Sequence, residues 1–313
     1  MSQRRWRPSR WLAGHVWTVL PQLRHRVRPL PVPSTDPWST DVVDPRIGSV
    51  RLGGLRSDAP GASTLLLVVH GLGGDPSSPY CRRAAAAAAL RGWSSLRLGL
   101  RGSRGDGEDL YHAGLGRDLA HALAEPGLAR FERVLVLGYS LGGHIALHHA
   151  LEPEPRVAAV AAISSPLDLE LSSRAIDRRR AFVYRRHVLT GLKAGYAQVA
   201  ARRPVPTPLA EVERVMTLRQ WDRLTVVPRF GFADVEDYYR RASVGPRLPE
   251  LQRPALYVGM HHDPMVPPWT VGPSLDAVGE DRLQRRWLDD GGHVNAPGRW
   301  EERVLAWLDR HGR

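Results

Sequence analysis

The residues best equipped for chemistry are Gly138-Tyr139-Ser140-Leu141-Gly142, followed by Gly143. The apolar run Val134–Leu137 leads straight into them and a helical pattern starts straight after. A strand, a sharp turn and a helix in that order would hold the Ser140 hydroxyl up at the end of a sheet in a strained backbone conformation. A serine hydroxyl is a weak nucleophile at neutral pH, so it needs a base, and the base needs an orienting acid. In this setting both follow the serine, acid first. His293, in Asp289-Asp290-Gly291-Gly292-His293, is the natural base, because the glycines let its loop turn back over the sheet. His144, His148 and His149 ride on the helix after the serine and are carried away from it; His261 and His262 precede the preferred acid; His187 is a further rival. That acid is Asp263, in the loop after the strand Ala255–Val258. Asp168, past the strand Val157–Ile163, is the second choice and is better suited to capping the next helix.

Attack on a carbonyl also needs two N–H donors for the oxyanion. The Leu141 amide, at a helix N-terminus, is one. The Leu72 amide in His70-Gly71-Leu72-Gly73-Gly74 is the other. A phosphate loop is the competing reading of those glycines, but Gly-Lys-Ser/Thr is missing and no Gly-x-Gly-x-x-Gly opens a helix there. No His-Glu-x-x-His or similar ligand spacing suggests a metal, and this chemistry needs no cofactor. The single cysteine, Cys81, cannot form an intrachain disulfide and reads as a small buried thiol.

Elements that could position these groups alternate along the chain. Thr64–Val69, Ser95–Leu100, Arg133–Leu137, Val157–Ile163, Ala255–Val258 and Leu283–Leu288 read as strands, Thr64–Val69 as a buried apolar run. Arg82–Leu90, Leu115–Leu123, Leu141–Leu151 and Arg299–Arg310 read as helices. The expectation is an α/β fold, a mostly parallel sheet covered on both faces. Leu167–Pro249 breaks the alternation, with no clear strand and with Pro204, Pro206 and Pro208. It reads as a helical cap over the carboxyl ends of the strands, where such sheets bind ligands. The expected organisation is a basic arm at 1–33, a core at 34–166 and 250–313, and a cap at 167–249. Tyr139, Phe182, Trp221, Phe230 and Phe232 are the candidate substrate-binding residues.

The 313 residues carry a net charge of +12, with Lys193 the single lysine. An arginine bias this extreme fits GC-rich codon usage; the alternative is a basic face for anionic partners. Disordered, collagenous and coiled-coil classes are excluded by composition, and the longest apolar runs fall well short of the ~18 residues of a membrane span. Arg4, Arg5, Arg7, Arg10, Arg24, Arg26 and Arg28 mix with Trp6, Trp11 and Trp17 in the first 33 residues. An export signal is disfavoured, because Gly14, His15 and Thr18 interrupt the apolar stretch. The arm either packs along the body or contacts anionic membrane from a cytoplasmic protein. No zinc finger, helix-turn-helix or RNA-recognition signature supports a nucleic-acid partner.

The chain resembles the α/β-hydrolase fold family, and within it the YheT-like branch of esterases. The resemblance rests on Trp6-Arg-Pro-Ser-Arg-Trp-Leu-Ala-Gly-His15-Val-Trp-Thr18, His70-Gly-Leu-Gly-Gly74, Arg101-Gly102, Leu110-Tyr111-His112-Ala113-Gly114, Gly138-Tyr-Ser-Leu-Gly-Gly143 and Ser165-Pro166-Leu-Asp168-Leu169. Phe230-Gly231-Phe232, Asp237-Tyr238-Tyr239, His262-Asp263-Pro264 and Gly291-Gly292-His293 continue it. It implies a triad of Ser140, Asp263 and His293, and hydrolysis of carboxylic esters, with acyl or lipid esters as small-molecule substrates. Acyl transfer or thioester hydrolysis would use the same triad. A non-catalytic binding protein on this fold is the remaining alternative, and the ordered catalytic set argues against it.

Overall fold

A computed structural model describes residues 10–27, 33–103, 105, 108–152 and 154–312, with side chains in the first helix described for residues 12–21. The strands are β1 (Asp36–Asp44), β2 (Gly48–Ser57), β3 (Thr64–Val69), β4 (Ser94–Leu98), β5 (Arg133–Tyr139), β6 (Val157–Ile163), β7 (Ala255–Met260) and β8 (Leu283–Leu288). They form one sheet in the order β1-β2-β4-β3-β5-β6-β7-β8. Only the pairings made by β2, with β1 and with β4, are antiparallel.

The central strands are apolar throughout because both faces of the sheet are covered. Side chains alternate across the sheet. Leu65, Leu67, Val69, Val134 and Val136 therefore enter one buried cluster, and Leu66, Val68, Leu135, Leu137 and Tyr139 the other. Helices α3 (Arg117–Leu123) and α4 (Leu141–His149) pack in the first cluster; α2 (Pro79–Ala89) and the closing α12 (Trp300–His311) pack in the second. Cys81 lies in α2, where burial pushes its thiol pKa up.

Two elements differ from the sequence-based expectation. The hairpin β1–β2 had no counterpart in it. These strands bury Trp38, Val42 and Asp44 on β1 and Val50, Leu52, Gly54 and Ser57 on β2, with exposed or half-buried residues between, and so lack a continuous apolar run. Residues 10–27 of the basic arm form a helix, α1 (Arg10–Val27), with Pro21 inside it. The remainder of the arm, Met1–Ser9 and residues 28–32, lies outside the described residues.

Leu167–Pro249 contains α5 (Leu169–Ile176), α6 (Phe182–Ala200), α7 (Leu209–Val212), α8 (Leu218–Leu224), α9 (Val226–Phe230) and α10 (Val235–Ala242); α11 (Gly272–Asp276) follows β7. A buried ion network ties this helical segment to the sheet. Arg101, after β4, reaches Asp118 on α3 at 2.8 Å, Asp44 on β1 at 2.7 Å and Asp109 at 3.0 Å. Arg229 of α9 grips the same Asp109 with two bonds of 2.6 and 2.7 Å. Burial alone would raise the Asp44 pKa, but the Arg101 hydrogen bond, the Arg46 amide and the charge of Arg229 outweigh it and hold the group at about 2.

Candidate active site

Ser140 sits between β5 and α4 with φ 51° and ψ −124°. A non-glycine residue at positive φ is strained, and here the tight packing of the turn imposes it. A Cβ on Gly138 would overlap the Gly142 carbonyl, and one on Gly142 would overlap the Val69 and His70 carbonyls, so both positions must stay bare. The turn is thus pressed onto the end of β3, with Ser140 Cβ 3.0 Å from where a Gly71 Cβ would stand.

His293 and Asp263 come together from the loops after β8 and β7. His293 Nδ1 donates to Asp263 Oδ2 at 2.9 Å, with Oδ1 at 3.2 Å. Asp263 Oδ1 also accepts the Met265 and Val266 amides at 2.8 and 2.9 Å, which fixes the carboxylate. Asp263 is 3% and His293 7% exposed, so their pairing is largely withdrawn from water. No hydrogen bond joins Ser140 Oγ to the imidazole among the described residues, but both line one cavity of about 610 Å³. Such contacts are often long without substrate and tighten in the reacting complex.

The glycine loop after β3 is held by three side chains. His70 Nδ1 donates to the Gly71 carbonyl at 2.8 Å and Nε2 accepts the Leu100 amide at 3.1 Å. The Gly71 amide donates to the Tyr80 hydroxyl at 3.1 Å and the Gly73 amide to the Tyr111 hydroxyl at 2.8 Å. With its neighbours spoken for, the Leu72 amide makes no hydrogen bond among the described residues, and neither does that of Leu141. Leu72 and Leu141 both line the cavity beside Ser140.

Helix α1 lies against this site, a placement the sequence reasoning missed. Gly14 packs so closely that a Cβ there would meet the His262 carbonyl. Thr18 Oγ1 donates to the Gly14 carbonyl at 2.8 Å and accepts the buried His293 amide at 2.8 Å. His15 bonds the hydroxyl of Tyr184 on α6. Burial raises the Tyr184 pKa to about 12, and the charge of Asp263 adds to it. Of these residues, Gly14, His15 and Thr18 stood in a block that carried the family resemblance, but their types alone gave no sign of a contact with the base.

The expected wall of aromatics is largely corrected. Trp221 does line the cavity, 4% exposed. Tyr139 does not: it points to the opposite side of the sheet, its ring lies tilted 4.8 Å from that of Tyr80, and it donates to Glu301 at 2.8 Å. Phe182 is 44% exposed at the start of α6, while its neighbours Val183 and Tyr184 line the cavity. Phe230 and Phe232 pack on the His112 ring at 4.4 and 5.4 Å instead of on the cavity. It is His112 that reaches the wall; burial pulls its pKa down to about 3, so the ring is neutral. Asp168 caps α5 through the Leu171 amide at 2.9 Å, and the Nε2 atoms of His144 and His148 both donate to the Ala242 carbonyl at 2.7 Å.

The wall also includes the apolar Leu169, Ile176, Leu218 and Val226, serines and tyrosines, and two acids, Asp75 and Asp222. Asp222 accepts the Tyr239 hydroxyl at 2.7 Å, and that hydroxyl also lies 3.0 Å from Ser173 Oγ. Burial pushes Asp222 up to about 7, against the pull of the Tyr239 hydrogen bond and helped by nearby Asp177. No cluster of His, Cys, Asp and Glu able to hold a metal occurs among the described residues.

A mostly parallel sheet with helices on both faces, and a serine raised on the turn after its central strand, defines an α/β hydrolase fold. A family model described as the alpha/beta hydrolase fold matches residues 64–296. YheT of Escherichia coli (strain K12), which carries an esterase name, is 32% identical over 263 residues, covering 78% of this chain and 76% of that protein. The chain belongs to the α/β hydrolase family, in its YheT-like branch. A monoacylglycerol lipase of Saccharomyces cerevisiae is 24% identical over 220 residues, 66% of this chain and 49% of that protein. Among solved structures, an esterase of Pyrococcus furiosus shares the fold with a TM-score of 0.57 at 15% identity, over 89% of this chain and 92% of that one. The relatives support a hydrolase of esterase type. No described helix is long and apolar enough to cross a membrane.

Proposed function

We propose that the chain is a serine hydrolase that cleaves carboxylic esters, acyl or lipid esters among them, through an acyl-enzyme. The observation that carries this is His293, paired with Asp263, opening on the same cavity as a serine held at positive φ. Ser140 Oγ attacks the ester carbonyl carbon and its proton passes to His293 Nε2. The Asp263 carboxylate holds Nδ1–H and so fixes the tautomer that leaves Nε2 free to accept. The oxyanion forms against the Leu72 and Leu141 amides, each such donor contributing about 3 kcal/mol to transition-state stabilisation. His293 returns the proton to the leaving alcohol, then takes one from the water that attacks the acyl-Ser140 carbonyl and regenerates the serine.

In this reading residues 34–166 and 250–313 form the catalytic core, and 167–249 is a cap whose Trp221, Val183, Tyr184 and Leu218 shape the acyl pocket. The first helix is the part of the arm that supports the base loop, and contact of that arm with anionic membrane belongs to the same reading. The test is labelling with a fluorophosphonate, with p-nitrophenyl esters from acetyl to palmitoyl in parallel. Labelling that Ser140→Ala abolishes is the expected result, and the chain-length profile then reports the acyl preference. A folded wild type that neither labels nor hydrolyses any of the esters would overturn the mechanism.

A further inference from the structure

Most surface helices turn their apolar residues inward. Helix α1 does the reverse. Gly14 and Thr18 face the protein, while Leu12, Val16, Val19 and Leu20 on the opposite side are 41–55% exposed. At 100° per residue the four form a single stripe. A second exposed apolar pair, Phe182 at 44% and Val183 at 67%, starts α6. The bond between His15 and Tyr184 joins the two elements, so the exposed residues lie on both sides of one contact. Val19 and Val183 are at once exposed and part of the cavity wall, which places the patch at the cavity mouth.

On the two elements that carry these residues, charge has one sign only, although the exposed Asp289 and Asp290 lie in the loop packed on α1 and Asp75 lines the cavity. Arg178, Arg179, Arg180 and Arg186 are exposed, and residues 178–188 include no acid. Arg179, Arg180 and Arg186 have no ion-pair partner among the described residues. Arg178 lies over the ring of Trp269, itself 41% exposed, at 4.4 Å. The sequence of α1 also contains no acid. Aliphatic side chains, a tryptophan and arginines together match the layering of a bilayer surface: acyl boundary, headgroup level and anionic phosphate. An acidic protein partner would account for the arginines but not for the exposed Leu12, Val16, Leu20 and Phe182 beside a cavity of about 610 Å³.

We propose that this face, the outer stripe of α1 with Phe182, Val183 and the arginines of 178–186, docks on an anionic lipid bilayer and receives a lipid ester directly from it. The proposal rests on the esterase reading for its substrate, not for its binding surface. The geometry puts the mouth in the plane of the membrane, so that an acyl chain passes from the bilayer past Val19 and Val183 toward Trp221 without crossing water. The surface is broader than the basic arm alone, because half of it belongs to the helical segment after β6.

The test uses the full chain with vesicles of phosphatidylcholine alone and of phosphatidylcholine mixed with phosphatidylglycerol. Sedimentation should show binding to the mixed vesicles, weakened by salt. Each surface arginine is worth roughly fivefold in partitioning, so Arg179→Glu/Arg180→Glu/Arg186→Glu should lower it by at least about 100-fold. Val16→Ser/Leu20→Ser removes apolar contact without touching the cavity and should also weaken binding. Both variants should keep fluorophosphonate labelling and hydrolysis of a soluble short-chain ester, while losing hydrolysis of a long-chain ester presented in the mixed vesicles. Failure of labelling in all proteins, with vesicle binding intact, would sink the esterase reading and leave the docking surface standing. Wild-type binding that is equal on both vesicle types, unchanged in the variants, or replaced by binding only to an acidic protein or nucleic acid would overturn the docking proposal.

Discussion

Thr18→Val tests whether the first helix serves catalysis. Valine keeps the β-branched shape and nearly the volume of threonine, so the tight approach of α1 at Gly14 is undisturbed. It removes one oxygen, the acceptor of the His293 amide at 2.8 Å and the donor to the Gly14 carbonyl. The amide is buried and has nowhere else to turn, and a stranded buried donor costs about 1–3 kcal/mol. That penalty falls on the backbone that carries the imidazole. If the loop relieves it by shifting in the reacting complex, kcat/KM drops by about 5- to 150-fold. The assay is kcat and KM on a soluble short-chain ester, with a denaturation curve measured beside it. Thr18→Ser restores the acceptor and should recover most of the activity. Activity within twofold of wild type in Thr18→Val would refute the argument that α1 positions the base; lost stability with unchanged kcat/KM would reduce the helix to a structural prop.

Two further outcomes follow from buried charge. Arg229→Ala leaves Asp109 without its two-bond partner and should destabilise the protein by roughly 3–5 kcal/mol, read from denaturant midpoints; a loss under about 1 kcal/mol would show that the ion network does not hold the helical segment. Asp222→Asn removes a carboxyl whose folded pKa is raised to about 7 from an ordinary value of 3.8. Its contribution to stability is complete below the unfolded value and is lost as pH rises through 7, so the variant should match wild type in acid and exceed it at pH above about 7. Equal stability of the two proteins across that range would remove Asp222 as a titrating group.

Much of the site was legible because its signals are local. The glycines around Ser140 are demanded by atoms four and five residues away and by the end of β3, and Asp263 and His293 follow the serine in the expected order. Continuous apolar strands announced the parallel core. The hairpin β1–β2 was not legible in that way, since its alternation of Val50, Leu52 and Gly54 with exposed residues is diluted by arginine and glycine. Helix α1 was hidden for the opposite reason: its apolar residues face outward, and its inward contacts are to Tyr184, His262 and His293, far along the chain. The aromatics misled because residue type does not tell which side of a short helix meets the cavity. Phe230 and Phe232 cover His112, and the wall position they seemed to claim belongs to a histidine.

The bond from His293 to Thr18 spans 275 positions. A ribosome adding about 5–20 residues per second makes the acceptor roughly 14–55 seconds before the donor exists. The nascent chain therefore carries the Ser140 turn, the glycine loop and the helices of 167–249 for some time before His293 is made. In the proposed reading the site is complete only once the His293 loop has been made and has closed onto the first helix.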